Sequence, residues 1–320
     1  MAIVSNSRRV LSRRGFARLL AGAALVRVRG DAAPKGLNWH SEETPALSFE
    51  RGYRADAQVL LFGIPLLHRS DVGRGSVLWR EFSADDPGRL LAFTGYSLPE
   101  RAAGLNRLGF IREMARTAPQ GGSECIYFGL MTASPEESAA EARNALHSKA
   151  KEQVYTAIDG RIGGGESETA IAHFLAPATI SGAHASELLD RARRALATVP
   201  RIAVPEPRHD FQQSFLQTLA GMLLRPDRAE AGYSYSGRIY RMRLSRSLDG
   251  KATAHFRERG MISRPARVVR VSGQIHREAG AKVAEFRLWI PDRGERPLPL
   301  RIDYQPKSYL RLVFEADSGS

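Results

Sequence analysis

Short apolar segments alternate with turn-forming residues along most of the chain, which is the pattern of an antiparallel β-sheet. Turn signals at Asp71–Gly75, Asp85–Gly88 and Asp159–Gly160 separate several of these segments. We predict strands connected by hairpins over 53–93 and further strands downstream, at Gln58–Ile64, Val77–Phe82, Leu90–Phe93, Cys125–Met131, Val154–Ile158 and Ile171–Leu175. The segment Leu108–Met114 fits a strand or a helix equally well.

Helical periodicity marks three segments. Ser134-Pro135-Glu136-Glu137 has the sequence of a capping box and predicts a helix that runs to about Ala150. Residues 186–197 place Leu188, Leu189, Ala192 and Leu196 on one face. Residues 211–224 form a third amphipathic helix after Asp210 as its N-cap.

From Gly232 onward the pattern indicates strands throughout. Asp249-Gly250 is the two-residue signal of a type I′ hairpin, so the segment Ala252–Phe256 is expected to be a strand. About six strands at short spacing predict a meander that forms a curved open sheet or part of a barrel. The predicted fold class is α+β, mostly antiparallel sheet with about three helices. An α+β region spans residues 34–230, and the meander at 231–317 is either a separate domain or the completion of the same one.

The N-terminus carries a basic segment followed by a mild apolar stretch and small residues. Arg13, Arg14 and Phe16 lie in a Ser-Arg-Arg-x-Phe motif, which resembles a twin-arginine signal peptide at residues 1–33. The resemblance implies recognition by the twin-arginine export machinery and cleavage near Ala32 or Ala33. It also implies a periplasmic or extracellular location. The apolar run Leu19–Val26 is too short to cross a bilayer, so we predict no transmembrane helix in the mature form.

The formal net charge of +13 is unevenly distributed along the chain. Residues 1–33 contain seven Arg and one Asp, so the signal segment contributes +6. Residues 34–236 carry −2, whereas residues 237–315 carry +10. The positive charge of the mature chain therefore belongs to its C-terminal strands. Export and the lack of a recognition module argue against nucleic acid as a partner.

Alternation in the C-terminal strands gives the excess charge a location. If the apolar residues face the core, the opposite face carries a set of cationic side chains, namely Arg241, Arg243, Arg257, Arg270, Arg287, Arg301 and Arg311. Such a face could bind a lipid or another anionic envelope component, since Arg binds phosphate bidentately. The alternative is a solvated sheet face without a ligand.

Catalytic motifs are missing from the sequence. There is no Gly-x-Ser-x-Gly motif, and the eight histidines do not show metal-ligand spacing. We predict no metal and no cofactor. His173, His184 and Glu166 lie in or around one loop and are the candidates for a hydrolase-type site. The single cysteine, Cys125, lies in an apolar strand and is expected to be a buried structural thiol.

Two pairs of strand segments carry a second resemblance, namely Tyr53–Asp56 with Gly63–Pro65 and Phe286–Trp289 with Leu298–Ile302. They resemble exported, uncharacterised bacterial proteins that have a curved antiparallel sheet. The resemblance implies a fold but no activity. The leading hypothesis is an envelope protein that binds an apolar or anionic ligand without catalysis. The alternatives are a hydrolase with a site in residues 161–184 and a partner-binding or assembly protein that uses the basic face.

Overall fold

The computed structural model describes residues 45–317 except 62–63, 83–87, 118–122, 134–150, 164–166, 181–184, 205–212, 279 and 294–297. These residues form fourteen strands, all paired in antiparallel order, and three helices. The predicted fold class is therefore confirmed. The predicted helix at 134–150 lies outside the described residues.

Eight strands make up the first part of the sheet, and each pairs with the next along the chain. They are β1 Leu47–Leu61, β2 Ile64–Glu81, β3 Gly88–Ser97, β4 Leu108–Thr117, β5 Ser123–Thr132, β6 Glu152–Ile162, β7 Glu168–Pro177 and β8 Ile202–Ala203. Consecutive segments pair because short connections make them neighbours in space. Leu108–Met114, which the sequence left open between helix and strand, is part of β4.

The second part of the sheet is the predicted C-terminal meander. Its strands are β9 Glu230–Tyr235, β10 Arg238–Leu248, β11 Val268–Arg277, β12 Lys282–Pro291, β13 Arg301–Lys307 and β14 Leu310–Ala316. The described helices are α1 Ala185–Leu196, α2 Phe215–Leu224 and α3 Gly250–Glu258. The first two agree with the sequence prediction, although α2 begins after Ser214 and Asp210 lies outside the described residues.

Pairing between β1 and β14 joins the two parts into one sheet of fourteen strands. The register runs from Tyr53 opposite Ala316 to Val59 opposite Leu310. Strands β8 and β9 are therefore the two edges of the sheet. Residues Thr44–Ser320 form one compact unit.

The sheet is curved so strongly that its β9 edge meets the inner surface of β5. The Tyr235 ring of β9 packs against the Tyr127 ring of β5, with ring centroids 5.2 Å apart. Tyr127 in turn donates a hydrogen bond to Thr169 of β7 at 3.1 Å. These contacts link distant strands through side chains, and no backbone ladder joins β9 to β5. The result is a large open curved sheet.

Helix α2 packs on the concave face of this sheet and contacts both parts. Met222 belongs to a buried cluster with residues of β10, β11 and β12, including Met242 and Val271. Ala220 packs with Trp79 and Leu91 of the first part. Both faces of the short helix are therefore covered by apolar side chains, which ties α2 to the sheet through the hydrophobic effect.

The predicted hairpin at Asp249-Gly250 is wrong, because the chain forms α3 there. Asp249 is the N-cap of this helix, and its side chain accepts a hydrogen bond from the Ala252 backbone at 3.0 Å. Phe256 is buried against Val268 and Trp289, whereas Ala254 is exposed. The predicted strand alternation of residues 252–256 is therefore replaced by helical spacing.

Two further turn predictions are also wrong. Strand β2 continues through Asp71–Gly75, with a bulge at which Asp71 has φ 55° and donates its N–H to Asp56. Strand β6 likewise continues through Asp159-Gly160. A Cβ atom at Gly160 would overlap the Tyr127 ring, so this glycine makes room for an aromatic side chain of the neighbouring strand.

Candidate functional site

The amino-terminal end of α2 is bound by a carboxyl group from the sheet. Ser214 is the N-cap of the helix, but its side chain makes no capping hydrogen bond to the helix backbone. Glu113 of β4 takes that role, because its Oε2 accepts from the Gln217 backbone N–H at 2.9 Å. The same oxygen accepts a hydrogen bond from the Ser214 hydroxyl. The first turn of a helix has N–H groups without intrahelical partners, and a carboxyl group satisfies them well.

Glu113 is completely buried, and this burial decides its ionisation. Loss of solvation raises the pKa of the carboxyl group to about 7, whereas hydrogen bonds from Ser214 and the helix backbone lower it. Its second oxygen, Oε1, has no hydrogen-bond partner among the described residues. Glu113 therefore carries a proton through much of the mildly acidic range.

Cys125 of β5 extends the same cluster. Its Sγ lies 2.9 Å from the Ser214 hydroxyl, and the side chain is fully buried. Burial raises the pKa of the Cys125 thiol to about 12, and the nearby Glu113 carboxyl group raises it further. The thiolate is the nucleophilic form of cysteine, so a thiol held in its protonated form is structural. The prediction that the Cys125 thiol is buried is therefore confirmed.

Gln217 connects the buried cluster to an arginine of β3. Its Oε1 accepts from Arg89 Nε at 2.9 Å, and its Nε2 donates to the Arg89 carbonyl oxygen at 3.0 Å. The Arg89 guanidinium group also lies over the Trp79 ring, 5.2 Å from the centroid. These contacts fix the guanidinium group in one position at the end of the helix.

A cleft of about 320 Å³ lies beside α2 on the side of Arg89. Three arginines line it, namely Arg89, Arg225 and Arg228, together with the polar side chains of Ser123, Gln213 and Thr218. Thr218 is 5% exposed, and its hydroxyl has no hydrogen-bond partner among the described residues. None of the described side chains that line the cleft is acidic.

Such a lining suits an anion. Guanidinium groups donate paired N–H groups to carboxylate or phosphate oxygens. Arg89 is preorganised by Gln217 and Trp79. Arg225 and Arg228 follow the carboxyl end of α2, where Arg225 is exposed and Arg228 is half-buried.

The apolar concave face of the sheet, where an apolar ligand of the kind considered above would bind, is covered by α2. Phe215, Leu219 and Leu223 pack against the same buried cluster as Met222. The helix therefore occupies the position where an apolar ligand would contact β10 to β12. The polar cleft beside α2 is therefore the candidate binding site.

Four of the seven predicted basic-face arginines lie together on the convex side of β10 to β12. Arg241 and Arg243 both reach Glu230, at 3.3 and 2.8 Å. Arg270 donates to the Ser247 hydroxyl at 3.4 Å, and Arg287 is exposed. We call these four residues the convex basic face.

The other three arginines are held in contacts within the protein. Arg301 and Arg311 both bind the buried carboxylate of Asp303, and Arg301 also lies over the Trp289 ring at 4.9 Å. Arg257 belongs to α3 rather than to a strand, and it donates to the Ala266 carbonyl oxygen at 3.1 Å. The predicted face is therefore smaller than the alternation suggested, since neighbouring carboxylates and a helix use part of it.

The predicted hydrolase-type residues are placed only in part. His173 is exposed on β7, and its Nδ1 lies 3.1 Å from the Thr156 hydroxyl. His184 and Glu166 lie outside the described residues, as do Arg13, Arg14 and Phe16 of the export signal. No group of three or more His, Cys, Asp or Glu suitable for a metal ion occurs in the described part of the chain.

The sequence analysis missed the buried cluster of Glu113, Ser214 and Gln217. One signal was present, because Glu113 lies in the middle of a strand between Ile111 and Met114. A charged residue inside an apolar strand is unusual unless it has a partner. The partner comes from a helix about a hundred residues later, which spacing alone does not reveal.

No protein-family model and no curated protein matches the chain. Among solved structures, the chain is similar to a beta-barrel-like protein of the domain of unknown function DUF1849 from Brucella abortus. The similarity has a TM-score of 0.47 at 6% sequence identity and covers 84% of this chain and 95% of that chain. In the described residues, no helix combines the length and apolar character needed to cross a bilayer.

Proposed function

We propose that the protein is an exported binding protein that holds a small anionic ligand in the cleft beside α2. The single observation that carries this proposal is the arrangement of Arg89, Arg225 and Arg228 around a cleft without described acidic side chains. The binding requires no reaction, since the buried cluster supplies a protonated thiol and a helix-capping carboxyl group rather than an activated nucleophile.

The ligand class follows from the lining of the cleft. A phosphate or carboxylate group matches the paired donors of the guanidinium groups. A volume of about 320 Å³ is near the lower end for small-molecule sites. An anion the size of a phosphorylated glycerol or a dicarboxylate is therefore a better fit than a lipid with its acyl chains.

Calorimetric titration with inorganic phosphate and with glycerol phosphate tests the cleft. The variant R225Q/R228Q removes two guanidinium groups from the lining, one exposed and one half-buried, and leaves the buried cluster intact. We expect affinity for the tested anion to fall at least about tenfold, since a hydrogen bond to a charged group contributes about 1.5–3 kcal/mol. Unchanged affinity in this variant would refute the assignment of the cleft.

The matched control is R270Q/R287Q, which removes two arginines from the convex basic face. It changes the net charge by the same amount, so a general electrostatic effect would weaken binding in both variants. Loss of binding only in R270Q/R287Q would move the site to the convex face. That outcome would favour a protein that presents its basic sheet face to an anionic partner.

Export is the second part of the proposal, and it rests on the Ser-Arg-Arg-x-Phe sequence at residues 12–16. Substitution R13K/R14K in the full-length chain should retain the protein in the cytoplasm. Substitution R8K/R9K changes the other arginine pair, which lacks the following Phe, and should leave export unchanged. Export of both variants at the wild-type level, measured by cell fractionation, would refute a twin-arginine signal.

A further inference from the structure

The hairpin of β1 and β2 extends beyond the strands on either side of it. Pairing of β2 with β3 ends at Gly73 opposite Ser97, and the paired register of β1 with β14 ends at Val59 opposite Leu310. The β1–β2 register continues to Leu61 opposite Ile64. On the β3 side, the pairing of β2 ends at Gly73, whereas on the other side the Leu60 N–H still donates to the Tyr309 carbonyl oxygen at 2.8 Å, and Leu60 is buried.

The end of this ribbon carries three exposed aliphatic side chains, all of them in β2. Ile64 is 65% exposed, Leu66 62% and Leu67 49%. The β1–β2 register shifts between Val59 and Leu60, so Leu66 is an extra residue of β2 at a β-bulge and strict alternation of faces does not hold there. We call these three residues the apolar tip. Large aliphatic side chains clustered at a protrusion mark an interaction site more often than scattered surface residues do.

Basic side chains stand directly behind the apolar tip. His68 and Arg69 follow it in β2, and both are exposed. Lys307 of the neighbouring β13–β14 hairpin lies in the same cross-strand row as Leu67, through Val59 and Leu310. The sequences of the two segments, residues 64–70 and 306–311, contain no acidic residue.

Two carboxylates lie near the base of the ribbon, and each has partners there. Asp71 binds both Arg74 and Arg101. Asp56 contacts the His68 ring at 3.1 Å and accepts a hydrogen bond from the Asp71 backbone. In the described part of the chain, neither carboxylate binds Arg69 or Lys307.

We propose that the apolar tip inserts into the surface of an anionic lipid bilayer and docks the protein there. Aliphatic residues would enter the boundary between headgroups and acyl chains, which accepts structures to a depth of about 5–10 Å. Arg69, two residues behind Leu67 in β2, would then lie at the level of the lipid phosphates, and Lys307 would extend its long side chain to them from the row of Leu67. Tyr309, whose carbonyl oxygen accepts from the Leu60 backbone at 2.8 Å, stands beside the ribbon as an interfacial aromatic residue.

The composition of the tip favours a bilayer over a protein partner. Protein interfaces concentrate their binding energy in Trp, Tyr and Arg, whereas Leu is under-represented among such residues. Fluid acyl chains surround a protrusion from all sides and need no shape complementarity.

Co-sedimentation with lipid vesicles tests the proposal on the full-length chain. The vesicles contain phosphatidylglycerol and phosphatidylcholine in one series and phosphatidylcholine alone in the other. The wild-type protein should bind the anionic vesicles, with weaker binding to neutral vesicles and in high salt. Substitution I64S/L66S/L67S should weaken binding to anionic vesicles at least about tenfold, because it removes most of the apolar surface that enters the bilayer.

The matched control is V154S/L175S, a pair of exposed apolar residues that lie opposite each other on β6 and β7. It should bind vesicles like the wild type. All variants keep the same basic N-terminal segment, so differences among them report on the substituted surface. Circular dichroism melting curves establish that each variant is folded, which we expect because the substituted side chains are exposed.

A spectroscopic variant adds a direct readout of insertion. In Leu66→Trp, tryptophan emission should shift to the blue when anionic vesicles are added, beyond any change in the wild type. Absence of the shift, or equal vesicle binding by I64S/L66S/L67S and the wild type, would overturn the proposal. Failure of the wild type to bind vesicles, together with a tip-dependent change in mass by gel filtration, would overturn it in favour of a protein interface.

Discussion

Replacing Glu113 by Gln tests whether a buried, protonatable carboxyl group fastens α2 to the sheet. The side chain of Gln has nearly the same shape as that of Glu. Its oxygen can accept the hydrogen bonds that Ser214 and the Gln217 backbone donate to Glu113 Oε2. The substitution therefore keeps the cap of the helix and removes the titration. Any pH-dependent difference in stability between the two proteins is therefore caused by the titration of Glu113.

The sign and size of the effect follow from the pKa. Burial raises the pKa of Glu113 from 4.5 to about 7, so the folded protein holds this proton more tightly than the unfolded chain does. The contribution of the Glu113 proton to the free energy of unfolding is fully present below pH 4.5 and is lost as the pH rises towards 7. Above pH 7 this contribution no longer changes with pH. The rise of about 2.5 in pKa corresponds to about 3 kcal/mol between the two limits.

Urea denaturation of the wild type and of E113Q at intervals from pH 4 to pH 8 measures this difference. We expect the free energy of unfolding of E113Q, relative to the wild type, to increase by about 3 kcal/mol over that range. Other titrating groups cancel in the comparison. A difference that is constant with pH, or that moves in the opposite direction, would refute the reasoning.

Glu230→Gln is the matched control, because the pKa of Glu230 is shifted in the direction opposite to that of Glu113. Hydrogen bonding to Arg243 lowers the pKa of this exposed carboxylate. Its contribution to stability is present above the unfolded pKa and is lost as the pH falls. As the pH rises, the free energy of unfolding of the wild type should therefore increase slightly relative to that of E230Q. Relative to that of E113Q it should decrease.

Three further outcomes follow from packing. Gly129→Ala should cost about 1–3 kcal/mol, because its Cβ would overlap the Tyr235 hydroxyl. Tyr235→Phe should relieve most of that cost, since the next ring atom is 3.4 Å away; urea denaturation of the single and double variants measures both, and equal costs in the two backgrounds would contradict the predicted overlap. The Cys125 thiol should resist a disulfide reagent in the native protein and react fully in urea, so rapid native labelling would contradict its burial. Asp249→Ala should destabilise the protein by about 1–2 kcal/mol in the same assay, because Asp249 accepts hydrogen bonds from the α3 backbone and from Trp289 Nε1 at 3.0 Å; a stability equal to the wild type would show that water replaces both.

The sequence predicted the C-terminal strands well because their signal is local. Phe286, Leu288 and Ile290 are all buried against the concave core. On the opposite face Glu285 and Arg287 are partly or fully exposed, whereas Trp289 is buried against Phe256 of α3. A period of two residues depends only on the geometry of one strand. Antiparallel neighbours then follow from short connections, so the order of β9 to β14 needed no knowledge of distant contacts.

Glycine and aspartate misled the sequence analysis where distant packing decides their role. Gly75 lies inside β2, where a Cβ atom would come within 2.9 Å of the Phe314 ring of β14. Asp249-Gly250 starts a helix because Phe256 is buried against Trp289 and Leu300, which come later in the chain. Glycine and aspartate are both typical of turns. The missing side chain of glycine, however, also makes room for an aromatic ring next to a strand, and the carboxylate of aspartate also caps a helix.

The residues that build the candidate cleft could not be predicted from local sequence patterns, because they are far apart in the chain. Its preorganised arginine, Arg89, is held by Gln217, 128 residues later, and Glu113 binds Ser214 across 101 residues. Each of these residues looks ordinary in its own segment. They meet because the pairing of β1 with β14 curves the sheet around α2 and brings β3, β4 and β9 to the same helix. A change that loosens the cap of α2 should therefore weaken anion binding without touching a lining arginine. This dependence distinguishes a cleft built by the fold from arginines that happen to be near one another on a surface.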